Sequence, residues 1–273
     1  MTDATAIFHD LMGAHRSIRR YKSDPLDPAL IDAVLVQALH GSSSSGNLNT
    51  ATVIKTMDAE RRRSLWALHA RQDMILQAPC VLTFCADTHR TRTWLAQRGA
   101  RLGFGDLKSF LMAAFDAVIL AQTAALAFES RGLGICYMGT TLFSMERIAE
   151  FLDLPDHCVP VTSLVVGWPA EAPSQRDRLP GALWIHDERY RHPTPEHIDA
   201  HYAGRDRRGW ERYRNADPSL IEQMREAGIT SLAQYYTSPL KYDPDLFARF
   251  SREIHAAIEA RGFGVPPAPT QTD

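Results

Sequence analysis

His15-Arg16-Ser17-Ile18-Arg19-Arg20-Tyr21 places three arginines, a serine and a histidine within seven residues, with no acid among them. Arginine grips phosphate through a planar two-pronged fork, and a serine hydroxyl fills a remaining acceptor, so the heptapeptide suits a small anion. Taken alone it reads first as a solvated basic segment. Thr5 to His15 reads as a short helix, with Ile7, Phe8, Leu11 and Met12 at helical spacing, so the basic turn is delivered by a rigid element.

The rest of the chain says what kind of anion is meant. A formal charge of −2 over 273 residues offers nucleic acid no general attraction, so the arginines form a local device for a small ligand. A 45% apolar content is ample for a sizeable core. The four cysteines, Cys80, Cys85, Cys136 and Cys158, show no C-x-x-C spacing and lie mostly in apolar runs, which points to the cytoplasm. The start of the chain has an early acid and no signal-peptide pattern. Phe110 to Phe128 is the most apolar segment, but Asp116 and Gln122 interrupt it and charges flank it, so a buried helix is expected rather than a membrane span.

Further motifs follow in order. Asp27 can cap a helix from Pro28 to about His40; Gly41-Ser42-Ser43-Ser44-Ser45-Gly46-Asn47-Leu48-Asn49 is a loop of hydroxyls and amides; Thr52 to Thr56 is a strand by β-branching. Asp58 to Gln77 reads as helix, Pro79 to Asp87 as a buried strand, and Thr88 to Gly105 as a polar break. Asp106 to Arg131 is a long helix, apolar nearly all round, for which a partner subunit is the natural second contact. Gly132-Leu133-Gly134 stops it, Tyr137-Met138-Gly139-Thr140 makes a backbone-rich turn, Met145 to Leu152 is helical, and Pro160 to Trp168 is a strand. Past Pro180, Pro218 to Ala227 and Pro244 to Gly262 are amphipathic, and Gly264 to Asp273 reads as a frayed tail.

The ordered set Arg-Ser-x-Arg, Ser-Ser-Gly-Asn-x-Asn, Gly-Leu-Gly-Ile-Cys-Tyr-Met-Gly and Val-Val-Gly-Trp-Pro with Arg-x-Arg-Leu-Pro resembles the nitroreductase family of FMN-dependent reductases. It is most similar to the branch of larger oxygen-insensitive NAD(P)H nitroreductases and flavin reductases. The resemblance covers most of residues 10 to 190. It implies an α+β fold with a mixed central sheet flanked by helices, a long dimer-interface helix, and FMN binding by residues 1–190; beyond the resemblance, 191–273 reads as a helical C-terminal extension packed on the same dimer. It also implies a homodimer, with bound FMN and NAD(P)H as co-substrate, that reduces a small-molecule acceptor such as a nitroaromatic compound or a quinone by two-electron ping-pong transfer. No nucleic acid or membrane partner is implied.

Residue by residue, the resemblance assigns the FMN phosphate to Arg16, Ser17, Arg176 and Arg178, with His15 on the same side. Arg176 stands where the branch usually has lysine. Arg19 matches the basic residue at the pyrimidine edge, where a fixed cation favours the reduced, anionic ring. Ser44, Ser45, Asn47, Asn49 and Gln72 match ribityl and ring-edge contacts, and Tyr137, Met138 and Gly139 supply backbone. No side chain is assigned as a catalytic acid, base or nucleophile; the flavin carries the chemistry.

Other readings meet obstacles. His197 and His201 have metal-ligand spacing but lack a Glu-x-x-His core. Gly132-Leu133-Gly134 follows a helix where a dinucleotide fingerprint needs a strand. An NAD(P)H:flavin reductase, or a silent FMN-binding module of the same fold, remains an alternative. Tyr235 to Tyr242 offers only Lys241 for an NADPH phosphate, which leaves both nicotinamides open.

Overall fold

The structure, a computed structural model, describes residues 3–41 and 45–265. The chain opens with α1 (Ala4–Ala14) and α2 (Pro28–Ala38), followed by β1 (Ala51–Thr56), α3 (Ala59–Leu68), α4 (Met74–Gln77) and β2 (Cys80–Asp87). It continues through α5 (His89–Gln97), α6 (Leu107–Glu129), β3 (Gly134–Met138), α7 (Met145–Phe151) and β4 (Cys158–Gly167). Helices α8 (Pro195–Ala216), α9 (Pro218–Glu226), α10 (Leu232–Tyr236) and α11 (Pro244–Ala260) complete it. Two compact units result: residues up to Gln175 with those from Phe250 on, and Arg176–Arg249.

Capping explains several boundaries. Asp27 Oδ1 accepts from Ala29 N at 2.9 Å, with Pro28 in the first turn, and Asp106 Oδ1 accepts from Ser109 N at 2.8 Å at the start of α6. Each carboxylate satisfies a helical N–H that has no partner within the helix.

The sheet runs β1-β2-β4-β3, and every ladder is antiparallel. This corrects the expectation of mixed pairing within the α+β class. The crossover through α5 and α6 returns the chain so that β3 runs in the direction of β2, but β4 inserts between them and runs against both. Strand β3 takes in Gly134, read as part of a helix stop, and Tyr137 and Met138, read as part of a turn. Its Gly-Ile-Cys-Tyr-Met run is short, and the glycines before it dominate the sequence signal.

Every residue of β2 is buried, because both faces of the sheet are covered. Alternate residues Cys80, Leu82 and Phe84 face a layer that includes Ile31, Val34, Ala117, Ala121 and Phe128 from α2 and α6. Val81 and Cys85 face the opposite layer, which holds Leu65, Ile75, Ile148, Ile18 and Tyr21. The basic heptapeptide is thereby nailed down through its two apolar members.

Two expectations are revised, one of a helix and one of a polar break. The helix read over Asp58 to Gln77 breaks into α3 and α4 because Ala70 and Arg71 take left-handed φ of 53° and 55°. The polar stretch after Thr88 contains α5, whose single buried residue, Thr91, leaves little apolar periodicity to read. The expected tail from Gly264 extends beyond the described residues.

Candidate active site

Residues 15–22 pass beside β3 and the segment that follows β4. Ile18 N–H donates to Ile135 O at 2.9 Å and Lys22 N–H to Trp168 O at 2.9 Å, while Tyr21 bridges Pro169. Tyr21 Oη donates back to Ile18 O at 2.6 Å. Gly134 permits this approach, since a Cβ there would stand 2.7 Å from Ile18. The packing fixes where the charged members emerge.

Arg16 is oriented by two carbonyls: Nε donates to Ala14 O at 3.0 Å and Nη1 to Pro173 O at 3.3 Å. His15 Nδ1 meets Glu129 Oε1 at 2.7 Å, whereas Glu129 Oε2 is buried without a partner among the described residues. Burial raises the Glu129 carboxyl above its ordinary range, with His15 pulling it back. His15, Arg16, Glu129, Gly134 and Glu171 help line a cavity of about 230 Å³. Behind the segment, burial raises the Cys136 thiol, and the Arg19 cation and a Ser17 hydrogen bond oppose that shift. Ser17 and Arg19 flank Ile18, whose N–H bonds Ile135 O, the neighbour of Cys136 on β3. Glu171 Oε1 accepts from the backbone N–H of both Arg19 and Arg20, at 2.6 and 3.1 Å.

At the other end of β3, roughly 13 Å from Gly134 to Met138 at strand spacing, lies the turn holding Gly139 and Thr140. Tyr137 sends its hydroxyl the other way, to Gln122 Oε1 at 3.1 Å, and burial pushes its phenol up to about 12. Gly139 is exposed, with nothing within 4 Å of its would-be Cβ. Gln72 Nε2 donates to Thr140 Oγ1 at 3.4 Å, and His69 Nδ1 lies 2.9 Å from the same oxygen. One strand thus joins a cationic end to an end with open backbone and amide.

Other expected residues lie elsewhere. Asn47 and Asn49 adopt left-handed φ of 59° and 57°, and Asn49 Nδ2 donates to Asn47 O at 2.7 Å. Their loop leads into Thr50, which is anchored to Asp116 through Oγ1 at 2.6 Å. Glu129, the partner of His15, is further along the same helix by roughly 20 Å at about 1.5 Å per residue. Within one chain these amides and the basic segment are therefore apart. Ser45 begins the turn Ser45–Asn47, and Ser44 lies outside the described residues. In the second unit Arg178 Nη1 donates to Arg176 O at 3.0 Å, and Asp177 accepts from Arg208 Nη2 at 2.6 Å.

Sequence reasoning missed His69, Glu129, Thr140 and Glu171. For Glu129 a signal existed: a single acid closing a long apolar helix. His69 carried none, because its burial depends on the left-handed break that follows it.

The nitroreductase family model matches residues 12–168, the span from the end of α1 to the end of the sheet. The chain belongs to the nitroreductase family. It is 34% identical over 193 residues to an oxygen-insensitive NADPH nitroreductase of Salmonella typhimurium, covering 71% of this chain and 78% of that protein. It is 35% identical over 178 residues to an FMN reductase [NAD(P)H] of Bacillus subtilis, covering 64% and 71%. The solved structure of Bacillus megaterium NfrA2 matches this nitroreductase-family chain with a TM-score of 0.81 at 29% identity, covering 96% of this chain and 99% of that one. The chain is accordingly an oxidoreductase.

Proposed function

We propose that this enzyme uses FMN and NAD(P)H to reduce nitroaromatic compounds, and quinones with them, two electrons at a time. The observation that carries this reading is the pair of donor sets joined by β3. Arg16, Ser17 and Arg19 belong to the segment that meets β3 at Ile135, and Gln72, Thr140 and the open Gly139 backbone lie just past its Met138 end.

The donor chemistry fits the cofactor. Arg16, with its guanidinium already oriented by Ala14 O and Pro173 O, keeps further N–H groups for a phosphate; Ser17 adds a hydroxyl and His15 a ring nitrogen. Arg176 and Arg178 are proposed as further phosphate ligands. Arg19 would place a cation at the pyrimidine edge, and the backbone of Tyr137, Met138 and Gly139 would lie against the ring. Bound FMN supplies two-electron transfer between nicotinamide and acceptor. The protein's task is to orient the ring, hold charge beside it and leave one side open, which exposed Gly139 suits. The four cysteines are free and buried, in keeping with a reducing cytoplasm.

In the second unit Lys241 Nζ lies 5.2 Å from the Tyr242 ring, and the Arg205 guanidinium lies 5.2 Å from the Tyr236 ring. Both nicotinamides are proposed as electron donors. Free flavin is a second class of acceptor, supported by the likeness to the Bacillus subtilis FMN reductase.

The purified protein is expected to carry about one FMN per subunit and to oxidise NADPH with a nitroaromatic acceptor. Double-reciprocal lines should be parallel, since one open ring side serves both substrates in turn. Intersecting lines would exclude alternation at one site; a protein that neither holds nor takes up FMN would sink the whole reading. Arg16→Ala should weaken FMN binding by about 2 kcal/mol, the value of a charge-assisted contact. Unchanged affinity on fluorescence titration would remove Arg16 from the phosphate site.

A further inference from the structure

The cluster of His69, Gln72 and Thr140 has a proton direction written into it. His69 is fully buried; its Nδ1 lies 2.9 Å from Thr140 Oγ1, and its Nε2 has no partner among the described residues. Burial lowers the imidazole pKa to about 4, so the ring is neutral near pH 7 and carries one proton. Were that proton on Nε2, the fold would bury an N–H donor with nothing to receive it. With the proton on Nδ1, only a bare lone pair is left over, and a missing donor at an acceptor is tolerated better than an orphaned N–H. The ring therefore donates from Nδ1 to Thr140.

Gln72 Nε2 donates to the same oxygen at 3.4 Å. Thr140 Oγ1 then accepts twice, which uses both of its lone pairs. Its own proton must point away from His69 and Gln72. The next threonine cannot exchange roles with it, because Thr141 Oγ1 donates to Met138 O at 2.8 Å and lies 3.1 Å from Ser163 Oγ, which donates to Thr83 at 3.3 Å. That buried hydroxyl chain pins the turn from below. Thr140 is half-buried beside exposed Gly139, and among the described residues no acceptor is assigned to its proton.

We propose that Thr140 donates a hydrogen bond to a ring nitrogen or carbonyl at the edge of FMN, and that His69 is the positioning residue that holds it in that role. This rests on the FMN reading above and adds to it a ligand contact and a buried residue that acts only through that contact. The ligand class follows from the geometry: a planar heteroaromatic edge with an acceptor, resting on the open backbone at Gly139.

The test is FMN titration of the full chain by fluorescence, with the absorption band of the bound flavin as a second readout. Thr140→Val should raise the FMN Kd about fivefold, the value of one neutral hydrogen bond, and shift the visible band. Thr140→Ser, which keeps the hydroxyl, should restore both. His69→Leu should raise Kd by a smaller factor, and combining it with Thr140→Val should add less than the two effects separately. A purely structural role would lower stability but leave the bound flavin's band in place. If Thr140→Val does not fold, Thr140→Ala reads the same outcome. Parent Kd and band in the Thr140 variants would overturn this proposal while leaving the FMN site standing. No FMN uptake by the parent would overturn that reading and this one with it.

Discussion

Lowering the pH from 6.5 to 4 should remove about 3 kcal/mol of folding stability through His69 alone. Its imidazole is buried, and burial pushes its pKa down from 6.5 to about 4. In the unfolded chain the ring takes up a proton below about 6.5, whereas in the folded chain it resists until about 4. The unfolded state therefore binds more protons across that window, and stability falls as pH falls through it. Above 6.5 the contribution is complete, and below 4 nothing more is lost. His69→Gln offers a control that cannot titrate. Urea midpoints converted to free energies should show the gap between parent and variant shrinking by about 3 kcal/mol from pH 6.5 to 4. A gap that stays constant across this window would mean that His69 reaches solvent, and the tautomer assigned to it would fall as well.

What the sequence could and could not disclose follows from range. Caps are local, so Asp27 is readable as a cap and Asp106 as the start of the long helix, and both carboxylates accept a helical N–H. The apolar run of β2 was readable because both of its faces are covered. The basic heptapeptide was readable as an anion device by composition, but not its shape. That it lies against β3 depends on Ile18 reaching Ile135, a pairing that seven residues cannot specify. The strand after Gly132-Leu133-Gly134 was hidden by its own punctuation, and the break at Ala70 and Arg71 by residues that seldom take left-handed φ. The family resemblance named Gln72 without saying what holds it. Thr140 and His69, which surround it, belong to no linear motif, and only the fold brings them to one oxygen.

We propose that this chain is a dimer, and replacing Phe115 with glutamate should then leave a monomer that no longer retains FMN. Helix α6 buries Phe110, Ala113, Ala117, Ala121, Ala124 and Phe128, while Leu111, Phe115 and Val118 stay exposed on another side. These three recur at helical spacing as one stripe, and Phe115, 63% exposed, is its most open member. An apolar stripe on the central helix is the feature we propose a second copy covers. The site supplies an independent reason. Asn47 and Asn49 sit near the Asp116 stretch of α6, roughly 20 Å along the axis from the Glu129 that holds His15. Amides that far from the basic segment can serve the same FMN only if another copy brings them. A glutamate at position 115 would bury a charge in the contact, a cost large enough to break it. Sedimentation should report the change of mass, and flavin absorbance the loss of cofactor. Asn49→Ala, which leaves the stripe intact, should stay dimeric and bind FMN more weakly. If the Phe115→Glu monomer binds FMN as well as its parent, the site is complete within one chain, and Asn47 and Asn49 must be withdrawn from it.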